Sequence, residues 1–241
     1  STRIRKEHTV SSIKKVLFLA FPNVGEQDLF APWELFRALA YDLGQSGESL
    51  EVTLGSFEGG TVTTHMGAQI QTEKVDPQSR YDLLYIPGGI GGGAASRDPR
   101  TLDFIRAHHD EDRWVAANCA GVGVLFRSGI LKGTRFQAAA VLGRRLADLG
   151  ADVARPRRAW SLLPDAKIFT AGGAATVHPS TIALVTHLFG EDRARALAGT
   201  WDTLPLHGET LFHPEGPLSD DDPTFVTNLQ NGMEKVFLPE N

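Results

Sequence analysis

The sequence predicts an α/β fold with a mostly parallel central sheet and helices on both of its faces. Three observations carry this. Short, continuous apolar runs at residues 16–20 (VLFLA), 82–86 (DLLYI) and 114–118 (WVAAN) suit strands buried on both sides. Segments with helical periodicity fall between them. The strands therefore alternate with helices, as they must when parallel neighbours are joined by crossover connections.

In chain order, residues 1–15 read as an exposed tail and 16–20 as the first strand. Residues 28–41 place Leu29, Trp33, Leu35, Phe36 and Leu39 at helical spacing, with Pro32 in the opening turn, where its missing N–H does little harm. Residues 50–57 read as a second strand, and 61–71 as a small hairpin turning at Gly67. The strand at 82–86 runs into a glycine-rich stretch ending at Gly93. Residues 99–109 read as helix, 114–118 as strand and 121–131 as helix. A short helix is expected at 142–149, capped by Gly150. Residues 159–163 and 167–170 form a strand pair around Pro164-Asp165, and 178–189 and 191–201 two further helices. Residues 202–241, rich in Pro, Asp, Glu and Gly, read as an irregular extension wrapping the body.

With no internal repeat and no clean linker, residues 1–241 are expected to form a single domain. The formal charge of −5 gives no global footprint for nucleic acid and no attraction to anionic membrane. No apolar run approaches the ~18 residues of a membrane span, and residues 1–12 lack the apolar core of a secretory leader. A cytoplasmic protein with a small-molecule substrate is the expectation. The lone Cys119 excludes an internal disulfide framework and a multi-thiolate zinc site, and no histidine pair has metal-ligand spacing. No metal and no cofactor are expected.

Chemistry concentrates in three segments. Trp114-Val-Ala-Ala-Asn-Cys119-Ala-Gly121-Val-Gly123 is an apolar strand, a cysteine and a small-residue helix start, the layout of a nucleophile elbow. The helix N-terminus beside the sulfur predicts a lowered thiol pKa and ready oxidation by peroxide. A buried structural cysteine is the competing reading. Ile86-Pro-Gly-Gly-Ile-Gly-Gly-Gly93 lacks the Gly-Lys-Ser/Thr ending of a phosphate loop and fits a dinucleotide fingerprint poorly. A backbone oxyanion site suits it better. The third segment, residues 21–34, offers Glu26, Asp28 and Glu34, which could equally be helix-start acids without a chemical role. His8, His108 and His109 look exposed, and His65 sits beside the hairpin turn. His178 is the best placed to pair with Cys119.

Taken together, these segments resemble the ThiJ/PfpI superfamily, over about residues 16–201, and most closely its isocyanide hydratase branch. Phe21-Pro22, Asp28, Ala31-Pro32, the Ile86-to-Gly91 run, Asn118-Cys119-Ala120-Gly121 and Gly129-Ile-Leu-Lys-Gly133 fall at that branch's motif positions. Phe169-Thr-Ala-Gly-Gly173 fits the same pattern. The resemblance implies a flavodoxin-like three-layer sandwich and a homodimer, with Phe30, Trp33 and Phe36 as a contact surface. It implies Cys119 as nucleophile, Asp28 as its proton-handling acid, and backbone N–H donors at Gly89 and Ala120. Trp33, Ile90 and His178 are expected to line the substrate pocket. Three departures stand out. Ala120 replaces the Thr that usually follows the nucleophile, the A-T-x-H-W stretch is replaced by Phe136 to Ala140 including Ala139, and His178-Pro179 replaces an acidic helix start.

The expected function is a cysteine-dependent hydratase or hydrolase of a small electrophile such as an isocyanide. The alternatives are a glutathione-independent glyoxalase or deglycase, for which the missing histidine is a mark against, and a non-enzymatic ligand or redox sensor.

Overall fold

The computed structural model describes residues 11–202 and 230–240. Its centre is an eight-stranded sheet in the order β3-β4-β2-β1-β5-β6-β10-β9. The strands are β1 (Lys15–Leu19), β2 (Glu51–Ser56), β3 (Gly60–Thr63), β4 (Gln69–Lys74), β5 (Leu83–Ile86), β6 (Trp114–Asn118), β9 (Trp160–Leu163) and β10 (Ile168–Ala171). A separate two-stranded pair joins β7 (Arg135–Phe136) to β8 (Asp152–Val153). From β4 to β10 every neighbouring pair in the main sheet is parallel, and only the flanking β3 and β9 run antiparallel. This is the mostly parallel flavodoxin-like α/β architecture that the sequence predicts.

β1, β5 and β6 are central and read as unbroken apolar runs because helices cover both faces. Phe18 on β1 stacks on Tyr85 of β5 at 4.9 Å. Phe36 and Trp33 of α1 (Glu26–Gln45) meet the Phe18 ring edge-on at 5.6 and 6.0 Å. Phe36 is fully buried there, so it cannot contribute to a contact surface between copies. Burying a side chain of this size stabilises the fold by about 1.5–3 kcal/mol. Among the described residues, the other α-helices are α2 (Gly92–Ala95), α3 (Pro99–Asp110), α4 (Ala120–Ser128), α5 (Ala140–Asp148), α6 (Val177–Phe189), α7 (Glu191–Thr200) and α8, which spans Asn231–Phe237.

Some expectations are corrected. The 1–15 tail is not exposed throughout, because Ile13 enters the core and Lys15 opens β1. His108 is fully buried between Phe104 and Tyr81, and desolvation lowers its pKa to about 4. The glycine run ends in the one-turn helix α2. Of the C-terminal extension, residues 203–229 and 241 lie outside the described residues. The part that is described is helical and packs on α2 and α5. Arg144 bonds Glu234 at 2.9 Å and Arg127 reaches the Pro239 carbonyl at 3.1 Å. Seven residues with a glycine in second place make a weak helix in isolation, so tertiary packing of Met233, Phe237 and Leu238 sustains α8. Among the described residues, no helix is long and apolar enough to cross a membrane.

The strand order reverses direction at β1. The chain first moves outward to β2 and later returns on the other side to β5. Ligands of open parallel sheets bind at the carboxyl ends of strands beside such a switch. The segments after β1, β5 and β6 meet there.

Candidate active site

Cys119 follows the last residue of β6 with φ 46° and ψ −127°, a left-handed backbone that side chains rarely adopt. Such a residue carries roughly 1–3 kcal/mol of strain and persists only when its surroundings hold it. Here its N–H donates to the carbonyls of Gly172 (2.9 Å) and Ala171 (3.2 Å), at the end of β10. The turn is tight enough that a Cβ on Gly121 would lie 2.1 Å from the Ile86 carbonyl oxygen. The result lifts the side chain to the start of α4 at the sheet edge, with the residue as a whole only half-buried.

The loop after β5 closes over it. Gly89 has φ +107°, and a Cβ there would stand 2.1 Å from the Gly25 nitrogen. This forces a glycine and lets the backbone come close. The sulfur takes hydrogen bonds from the Gly89 and Ala120 N–H groups. The methyl of Ala120 is buried, and a Cβ on Gly92 would lie 2.7 Å from it.

Asp28, in the first turn of α1, hydrogen-bonds the Cys119 thiol. It is 4% exposed, and its Oδ1 has no partner among the described residues. Burial raises its carboxyl pKa to about 6, with the hydrogen bond to Cys119 pulling the other way. Burial, then the Asp28 charge, push the thiol up as well. The expectation of a lowered thiol pKa is thus reversed. One α-helix start and two N–H groups do not outweigh burial beside a carboxylate. The two groups hold one proton between them at neutral pH, and above about pH 6 the carboxylate is poised to accept it from sulfur.

Of the three carboxylates, only Asp28 reaches the sulfur. Glu26 turns to the hairpin, accepting the Met66 N–H at 3.0 Å, and Glu34 is exposed. Ile90 follows Gly89 at the rim and is 40% exposed. Trp33 packs on Phe18 and under the Arg37 guanidinium. His178 lies in the first turn of α6. It is no hydrogen-bond partner of Cys119, its Nε2 has no partner among the described residues, and burial lowers its pKa against the opposing pull of Glu34.

Sequence reasoning passed over two site residues. The His65 Nδ1 accepts the Ile90 N–H at 3.3 Å, which ties the hairpin turn to the glycine loop. Asn118 is legible in the sequence as a polar residue that closes an otherwise apolar strand within the cysteine motif, but nothing in the sequence signals its side-chain partners. Among the described residues, no group of three His, Cys, Asp or Glu could hold a metal ion.

The model of the DJ-1/PfpI family matches residues 14–184. The chain belongs to that family. Among its relatives is an isonitrile hydratase of Pseudomonas putida, 30% identical over 179 residues that make up 74% of this chain and 73% of that one. A deglycase of Pyrococcus horikoshii is 28% identical over 125 residues, 50% of this chain and 69% of the relative. The crystal structure of a ThiJ/PfpI family protein from Pseudomonas syringae superposes with a TM-score of 0.71 at 17% identity, covering 96% of this chain and 93% of its own. Named relatives in this DJ-1/PfpI family thus include both a hydratase and deglycases.

Proposed function

We propose that the protein is a cysteine-dependent hydratase acting on a small electrophilic carbon, with an isocyanide as the substrate class. The observation that carries this is the Asp28 carboxylate hydrogen-bonded to the Cys119 thiol, beneath two backbone N–H groups. The thiol adds to the isocyanide carbon, and Asp28 takes its proton and returns it to that carbon, leaving a thioimidate on sulfur. Water then adds to the same carbon. Collapse breaks the C–S bond, returns the proton to the Cys119–Asp28 pair and releases an N-substituted formamide. Gly89 and Ala120 stabilise charge on the sulfur as it attacks and as it leaves. Trp33, Ile90 and His178 belong to this reading as pocket residues, although their geometry ties them to the sulfur less directly.

Intact-mass measurement across isocyanides, nitriles and aldehydes tests the reading. It predicts a Cys119 adduct and formamide product with isocyanides, and turnover reduced at least about 1000-fold in Cys119→Ala. Full turnover in that variant overturns it. The rate is expected to follow the Asp28 carboxyl. With its pKa raised to about 6, kcat/KM falls as pH drops through that value, and a profile flat down to pH 4 excludes Asp28 as the base. The deglycase relatives favour a second reading, attack on a 2-oxoaldehyde, and conversion of methylglyoxal to lactate without glutathione would select it. A homodimer is part of the proposal. A sedimentation mass near one chain, 26.1 kDa, rejects that part.

A further inference from the structure

Beneath the nucleophile lies a buried polar chain that the proposed chemistry does not use directly. The Asn118 side chain is fully buried at the end of β6. Its Oδ1 accepts the Gly88 N–H at 3.0 Å. Its Nδ2 donates to the Asp28 carbonyl at 2.9 Å and to the Tyr85 hydroxyl at 2.9 Å. The Tyr85 hydroxyl is bonded in turn to Thr181, whose Oγ1 donates to the Val177 carbonyl at 2.7 Å. Thr181 has one hydroxyl proton and spends it on Val177, so the Tyr85 O–H donates to Thr181. Every donor in this chain therefore has a fixed direction.

We infer that Asn118, oriented by Tyr85, is a positioning residue that sets the Asp28–Cys119–Gly89 geometry by clamping the three segments that meet at the sulfur. One carboxamide holds the α1 turn that bears Asp28 and the glycine loop that bears Gly89, and it sits next to Cys119 in sequence. A buried amide with all three of these bonds made is rigid, and loss of one partner leaves the others unsatisfied in a dry interior. Among the described residues, the titratable group acting on the sulfur is Asp28; Tyr85 lies behind Asn118, and burial and the Asp28 charge push its own ionisation well up. Tyr85 therefore stays neutral and acts as a hydrogen-bonding link. The inference rests on Cys119 being the nucleophile.

Alkylation by iodoacetamide tests it without a substrate. Sulfur bonds to the methylene carbon, iodide leaves, and the thiol proton passes to Asp28. Cys119 is the one cysteine of the chain, so the mass shift reports this site alone. The pH at which the alkylation rate reaches half its plateau is compared in wild type, Tyr85→Phe and Asn118→Leu, each confirmed folded by circular dichroism. A shift of that midpoint is expected in Tyr85→Phe and a larger one in Asn118→Leu, with alkylation at pH 7 slowed about tenfold in the latter. A purely structural role lowers the melting temperature and leaves the midpoint where it is. An unmoved midpoint in Tyr85→Phe overturns the inference, even where Asn118→Leu does not fold. Retained turnover in Cys119→Ala is a separate failure, belonging to the proposed hydratase reading.

Discussion

The Asp28→Asn variant is expected to lose about 100-fold or more in turnover while becoming more stable at neutral pH. The amide still fits and its oxygen can still accept the thiol hydrogen bond, but it cannot take up and return a proton. The stability gain follows from burial. The carboxyl pKa rises from its ordinary 3.8 to about 6 in the folded chain, so folding favours the protonated acid. That contribution is fully present below 3.8 and is lost as pH rises through about 6. At pH 7 the charged form costs on the order of 3 kcal/mol relative to a carboxyl in water. An Asn at this position avoids that cost. Thermal melts of the two proteins at pH 7 and pH 4 provide the check. The variant should melt higher at pH 7, and the gap should narrow at pH 4. A variant that melts lower at pH 7, or a gap that does not change with pH, rules out burial of this carboxylate as the cause.

Gly88→Ala is expected to have a comparably large effect by a steric route. A Cβ at this position would lie 2.7 Å from the Ala120 nitrogen, 2.7 Å from the Cys119 Cβ and 2.8 Å from Asp28 Oδ2. Two of those neighbours are backbone or tied directly to it, so relief requires moving Cys119, Asp28 or the Ala120 N–H. A displacement of about 1 Å is enough to lower the rate ~100-fold. Overpacking should destabilise the fold by a further ~1–3 kcal/mol. Gly44→Ala is the contrast. It lies in the last turn of α1 with nothing within 4 Å of the would-be Cβ, so it should raise stability by up to about 1 kcal/mol and leave turnover within twofold. Turnover of Gly88→Ala within twofold of wild type would contradict the tight packing of these three segments.

The sheet was legible because β1, β5 and β6 are unbroken apolar runs flanked by helical periods, a pattern with few other solutions. The hairpin was legible from Gly67, which has φ +98° in the turn between β3 and β4. Motif positions pointed to Asp28 rather than Glu26 or Glu34, and the structure brings only Asp28 to the sulfur. What the sequence could not convey was what depends on surroundings. The sign of the Cys119 shift is decided by burial and by a carboxylate 91 positions away in the chain. The burial of His108 depends on Phe104 and Tyr81 closing around it. The helix at Asn231–Phe237 exists because α2 and α5 receive it, not because of its own composition. Asn118 lies between these cases: a polar side chain at the end of a buried strand is visible in the sequence, but its three partners come from distant segments.

The left-handed backbone at Cys119 has a consequence for directed evolution. Glycine at that position would relax the turn, and asparagine at position 28 would remove a buried charge. A library sorted only for heat resistance is therefore expected to enrich both changes and, under the proposed cysteine chemistry, to converge on well-folded, inert descendants. Selection for hardier versions of this protein has to score turnover in every round.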